Sequence, residues 1–203
     1  AHLAKMINAA VEKMRKEDNS GRVRSDLKCP PPMLPKKSLF GNNKKKTEIM
    51  KWPLLEVARQ ITLIDFAIFS KIEPKECLNQ AWNKGHRETK APNIYRMINW
   101  FNQLSNWVGS IIVQLNDLED RVKMMGKFIE LAAHCKELNN FNALFAVLSG
   151  LALASIFRLK QTWAALPPEV TQQYKDLQKY TSHEKNFKEV RVAIRSVKPP
   201  CIP

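Results

Sequence analysis

Glu137-Leu-Asn-Asn-Phe-Asn-Ala-Leu-Phe-Ala-Val-Leu-Ser-Gly-Leu-Ala-Leu-Ala-Ser-Ile-Phe-Arg158-Leu159 carries no charged side chain between Glu137 and Arg158, and from Ala143 to Phe157 only Ser149 and Ser155 are polar. A helix on a protein surface keeps one polar face, so a segment apolar on every side has to be enclosed by other elements. The stretch therefore predicts a buried central helix. A membrane span would need ~20 mainly apolar residues, and Asn139, Asn140 and Asn142 break the run at its start. Ala143, Ala146, Gly150, Ala152 and Ala154 are small enough for neighbouring helices to come close. Leu144, Phe145, Val147, Leu148 and Leu151 supply bulk, each worth about 1.5–3 kcal/mol when fully buried.

Working outward, residues 92–115 show two adjoining apolar stripes. Ile94, Ile98, Phe101, Ser105 and Val108 form one; Met97, Trp100, Leu104, Trp107 and Ile111 form the other, rotated by about 100°. Two stripes exceed what a single core contact requires. Either the helix is sandwiched between two neighbours, or the Met97 stripe faces the core and the Ile98 stripe, bordered by Asn102, is a partner-binding surface. Further helices are expected at 118–136, in a segment from 159 to 166, and at about 168–180 and 185–196. Towards the N-terminus, Leu54, Val57, Ala58, Ile61, Ile64, Ile68 and Ile72 predict a long helix starting at Pro53 and running to about Ile72. A shorter helix is expected from Pro74 to Trp82, then a polar loop over 83–88. No stretch alternates long enough for a strand, so the expected fold is all-α, an irregular multi-helix bundle around the buried central helix.

The 203-residue chain carries 33 basic and 19 acidic side chains, a net charge of +14. Residues 1–51 hold 13 basic and 5 acidic of these, net +8, and are the most cationic part. Leu3, Met6, Ile7, Ala10, Val11 and Met14 recur at helical spacing, so 1–18 reads as an amphipathic helix. Residues 19–51, with Pro30-Pro31-Pro32, Pro35 and Lys44-Lys45-Lys46, read as a basic linker too poor in apolar surface to order itself. Such a segment is suited to an anionic membrane surface, where each basic residue contributes ~1 kcal/mol; a nucleic-acid partner is not expected. The compact domain spans 52–203. Cys29, Cys77, Cys135 and Cys201 have no close pairing, and no secretory leader begins the sequence, so a reduced, cytoplasmic protein is expected, recruited to membrane if the basic segment engages lipid.

The absent chemistry is also informative. The six glycines build neither GxGxxG nor a GxxxxGK[ST] loop, and HExxH and GxSxG are missing. The four histidines do not cluster with the thiols at ligand spacing, so neither metal nor cofactor is expected. His134, beside Ala132, Ala133 and Cys135, reads as a hydrogen-bonded structural histidine. Composition and periodicity alone stop at a helical binding or scaffolding domain.

Six ordered blocks go further: Pro53-Leu-Leu-Glu-Val-Ala-Arg-Gln-Ile-Thr-Leu-Ile-Asp-Phe66, Cys77-Leu-Asn-Gln-Ala-Trp-Asn-Lys84, Pro92-Asn-Ile94 with Met97-Ile98, Glu137-Leu-Asn-Asn-Phe-Asn142, Arg158-Leu-Lys-Gln-Thr-Trp163 and Pro199-Pro-Cys-Ile-Pro203. In order and spacing, 52–203 resembles the catalytic domain of Ras-type guanine nucleotide exchange factors. The resemblance implies an all-helical domain that grips the switch II segment of a Ras-family small GTPase, without covalent chemistry, and promotes GDP release so that GTP can load. It places the GTPase-binding positions at Ile98, Asn99, Phe101, Asn102, Phe145, Ala152, Phe157 and Phe187. Arg59, Gln60, Asn79, Trp82, Asn139 and Asn140 fall on block positions that look structural, the asparagines as caps of a buried helix.

Ala152-Leu153 stand where many of these factors have a polar pair, and Asn99 where some have a basic residue, which implies a shifted GTPase preference. The family's helical hairpin, which levers switch I open, is encoded after the Pro-Pro-Cys-Ile-Pro block. The 203 residues are therefore expected to dock and to exchange poorly alone, and bare apolar surface is expected to favour self-association. The competing expectations are a nucleotide-blind adaptor of the same fold and a basic membrane-surface module.

Overall fold

Pro53 is itself extended (ψ 124°), and the apolar repeat that follows it winds into α1, Leu54–Phe69. The computed structural model describes residues 52–203; the amphipathic helix expected over 1–18 and the linker over 19–51 lie outside the described residues. α1 buries Leu54, Val57, Ala58, Ile61 and Ile68 and stops three residues short of the expected Ile72, where Lys71 and Ile72 donate to the Ile68 and Phe69 carbonyls as a turn.

The helix expected over 74–82 is instead a 3-10 segment, Pro74–Asn83, interrupted by extended Leu78 and by Asn79 and Gln80 at φ 54° and 52°. Only Glu76 and Ala81 of this segment are buried. Without a continuous apolar face nothing compensates the cost of nucleating a full helix. The polar loop expected over 83–88 runs at its end into a single helical turn, α2, Arg87–Lys90.

α3, Pro92–Val113, starts with proline in its first turn. Its free N-terminal amides are met by the Glu76 carboxylate, which accepts from the Asn93 and Ile94 backbone N–H at 2.8 and 3.1 Å and from the Asn93 side chain at 2.7 Å. Burial pushes this carboxyl up, but those hydrogen bonds outweigh it and hold Glu76 below the usual carboxylate range. α4, Leu118–Glu137, presents Met124, Met125, Phe128, Ile129, Leu131 and Ala132 to the core, and Trp107 of α3 meets Phe128 edge-on at 5.3 Å.

α5, Phe141–Leu151, is the central helix. α1, α3, α4 and the later helix Pro168–Thr181 all pack around it, and Ala143, Leu144, Ala146, Val147 and Leu151 have no exposed surface. The apolar stretch does not continue helically to Leu159. Leu153 turns extended (ψ 141°) and is followed by two short helices, α6, Ala154–Phe157, and α7, Lys160–Ala164. The break seats the Leu153 side chain over Gly109 of α3, buries Ile156 completely and leaves Phe157 61% exposed. α8, Pro168–Thr181, and α9, Lys188–Ser196, follow.

The last residues return to the start of α5, where Phe141 donates to the Ile202 carbonyl at 2.8 Å and Ile202 to that of Asn139 at 2.9 Å. Among the described residues this lone bridge replaces any strand, so the fold is all-α, and no helix is long and apolar enough to cross a membrane. Cys77, Cys135 and Cys201 are free thiols.

Three helices are tied together by one buried carboxylate. Asp65, fully enclosed on α1, accepts from Trp100 of α3 at 2.5 Å and from Asn140 and Asn142 at the head of α5 at 2.7 and 3.2 Å. Burial pushes its carboxyl up to about 6, against the pull of those three donors. The unfolded chain therefore ionises first as pH rises. The stabilisation Asp65 gives is fully present below its ordinary pKa of 3.8 and is lost as pH climbs through about 6. Asp65→Asn removes this pH dependence but turns an amide N–H₂ towards one of the donors. We expect it to lower unfolding free energy by about 1–3 kcal/mol at neutral pH, read from urea titrations.

Candidate functional site

α3 and α5 cross as closely as their backbones allow. A Cβ on Gly150 would lie 2.6 Å from the Ser105 carbonyl oxygen and 2.7 Å from the Val108 Cβ. This contact divides the Ile98 stripe of α3. Ser105 and Val108 are buried under α5, so the expectation of one partner surface along the whole stripe is corrected: its C-terminal half is core. The N-terminal half stays accessible, with Ile98 38% exposed, Asn102 exposed, and Asn99 and Phe101 half-buried. The Met97 stripe faces inward, Trp100 and Leu104 being buried.

Phe145 is half-buried on α5, its ring centroid 6.2 Å from that of Phe187. Phe187 has a second ring neighbour, His183, at 4.6 Å. It closes a run of three left-handed residues, Lys185, Asn186 and Phe187, at φ 48°, 56° and 54°, which turns the chain sharply into α9. Ala152 is exposed at the end of α5. Phe157 projects from α6, which packs on α3, with the Lys160 Nζ 3.7 Å above its ring. Of the eight positions expected to bind a GTPase, Phe145 and Phe187 are thus in ring contact, and the others lie on the crossing pair α3 and α5 and on the α6 tip. All eight side chains are apolar or amide. Such side chains bind by burial and hydrogen bonding.

The positions expected to be structural separate into groups. Asn140, fully buried, caps α5 by accepting from the Ala143 N–H at 2.9 Å while donating to Thr62 and Asp65. Asn139, at φ 56°, donates to the Pro200 carbonyl at 3.4 Å. Arg59 and Gln60 donate to the buried Glu56 at 2.9 and 2.6 Å. Asn79 is exposed in the left-handed region and Trp82 half-buried. His134 lies with Nδ1 3.0 Å from Glu137. An open groove of about 900 Å³ between α4, α8 and α9, lined by Phe141, Leu177, Tyr180 and Val197, contains none of the eight positions.

Sequence reasoning missed Asp65 and Glu76 as organisers, and read Gly150 only as one of five small residues that let helices approach, without its partners Ser105 and Val108 on α3. The signal for Asp65 is one acid inside the apolar repeat Ile61-Thr-Leu-Ile-Asp-Phe-Ala-Ile68; Glu76 gives none in a single sequence.

The RasGEF domain family matches this chain over residues 56–203. Ras guanine nucleotide exchange factor A of Dictyostelium discoideum is 40% identical over 199 residues, covering 98% of this chain and 32% of that protein. Exchange factor I of the same organism is 38% identical over 201 residues, 98% of this chain and 24% of its own length. Exchange factor R is 45% identical over 148 residues, 73% and 8% respectively. The chain thus spans a third or less of these relatives. A helical bundle closed by the returning Pro-Pro-Cys-Ile-Pro stretch, together with this match over most of its length, shows that the chain belongs to the RasGEF domain family.

Proposed function

We propose that this chain belongs to a guanine nucleotide exchange factor for a Ras-family small GTPase, and supplies the face on which the GTPase docks. The observation that carries the reading is the apolar surface left open beside the α3–α5 crossing: Ile98 and Phe157 remain 38% and 61% exposed although both stand next to the core. Family membership and the names of the relatives support the same partner class. Docking involves no bond making. Apolar anchors such as Ile98, Phe145 and Phe157 hold switch II, while Asn99 and Asn102 hydrogen-bond to it.

A GTPase conformation that fits this face but binds nucleotide poorly is stabilised, and by linkage its nucleotide affinity falls by the same factor. The more abundant nucleotide then reloads. The +8 charge of residues 1–51 supports recruitment of this activity to an anionic membrane surface. The test is binding of the chain to a panel of Ras-family GTPases prepared nucleotide-free and GDP-loaded. Tighter binding of at least one empty form is expected; equal affinity for both forms of every member overturns the reading.

A further inference from the structure

Residues 92–113 contain one charged side chain, Arg96, and residues 138–168 contain two, Arg158 and Lys160; neither stretch has an aspartate or glutamate. On this side of the docking face α3, α5, α6 and α7 therefore carry cations and no carboxylate of their own, the nearest acids in sequence to a docking position being Glu184 and Glu189 beside Phe187. Within this set Lys160 has a defined position. Its Nζ sits 3.7 Å over the ring of Phe157, the most solvent-exposed aromatic anchor of the face at 61%, and Lys160 makes no ion pair among the described residues.

Lys160 does nothing for the helix it begins. It is the first residue of α7, where a cation opposes the helix dipole. The tip that carries it is firm: the Trp163 indole N–H donates to the Ile156 carbonyl at 3.0 Å, Trp163 stacks on Tyr174 at 4.9 Å, and Ile156 is completely buried. The ring occupies one side of the ammonium, leaving its remaining N–H donors turned to solvent. A flexible lysine is thereby held in place before any partner arrives, which lowers the entropy lost on pairing.

We propose that Lys160, held on the Phe157 ring, is a specificity-determining residue that selects GTPases presenting a carboxylate opposite Phe157 and rejects those presenting a cation there. The inference rests on the docking reading above and names which side chain sets the preference.

The test measures affinity for a nucleotide-free Ras-family GTPase in low and high salt, using Lys160→Arg, Lys160→Met, Lys160→Glu and Phe157→Ala. Both positions are exposed, so unchanged thermal unfolding is expected for all four. Lys160→Glu should weaken binding by about tenfold, ~1.4 kcal/mol, in low salt, with the loss shrinking in high salt as charges are screened. Lys160→Met should lose less and Lys160→Arg almost nothing. Binding by Lys160→Glu should recover against a GTPase whose switch II carboxylate is replaced by lysine. Wild-type affinity in Lys160→Glu, with Phe157→Ala still impaired, overturns the inference and leaves the docking reading standing. Wild-type affinity in both variants, or no GTPase bound by the unaltered chain, removes the docking reading and this inference with it.

Discussion

Ile98→Asp should weaken binding to a nucleotide-free Ras-family GTPase by roughly thirty-fold or more, ~2 kcal/mol, while barely moving the unfolding midpoint. The side chain is 38% exposed on a helix anchored elsewhere by Trp100, Leu104, Val108 and Ile112. Its loss from the free protein therefore removes little packing; an exposed helical substitution of this kind costs about 0.5 kcal/mol. On docking, the carboxylate is carried into an apolar contact where it has no partner, and burial of an unpaired charge is strongly unfavourable. Phe145→Ala should lose affinity on a similar scale but also stability. Its ring packs partly into the core and against Phe187, so part of the loss reflects a cavity. The pair separates binding energy from scaffold energy. An Ile98→Asp chain that binds as well as the unaltered one puts the docking face elsewhere on the molecule.

Gly150→Ala should cost about 3 kcal/mol of unfolding free energy, at the upper end of what overpacking usually costs, and should weaken GTPase binding as well. The added methyl would fall 2.6 Å from a backbone oxygen of Ser105 and 2.7 Å from the Cβ of Val108. Neither atom can swing aside, so α3 and α5 must separate, and Ile98 and Phe145 move apart with them. Gly109→Ala provides the contrast. Its methyl comes too close only to the end of the Leu153 side chain, at 2.6 Å, with the Gly150 carbonyl oxygen at an ordinary 3.8 Å; that side chain can change rotamer, and alanine is the better helix former by ~1 kcal/mol. We expect Gly109→Ala to be close to neutral. Equal losses for the two variants in urea titrations would mean that the closeness of the crossing does not govern stability.

The all-α architecture and the enclosed central helix were legible because they follow from periodicity and from the absence of charge between Glu137 and Arg158. The break at Ala152-Leu153 was not, since an apolar run reads the same whether it continues as a helix or folds back over Gly109. The division of the α3 stripe was hidden for a related reason. Ser105 and Val108 become core only because Gly150 admits them, and that contact joins residues more than forty positions apart. The 3-10 segment misled through Pro74 and a favourable spacing that had no buried face behind it. The candidate docking residues came from ordered family blocks; the helical wheel alone singled out only the Ile98 and Phe101 face. Asp65 shows where local pattern is weakest: its role depends on Trp100, Asn140 and Asn142 arriving from two other helices.

The most direct measurement is the affinity of a Ras-family GTPase for fluorescent GDP with and without a saturating amount of this chain. Docking that favours the empty GTPase must weaken GDP binding, by roughly 5–150-fold for a coupling of about 1–3 kcal/mol. An unchanged GDP affinity, with the chain demonstrably bound, would identify a nucleotide-blind adaptor and contradict the exchange-factor reading.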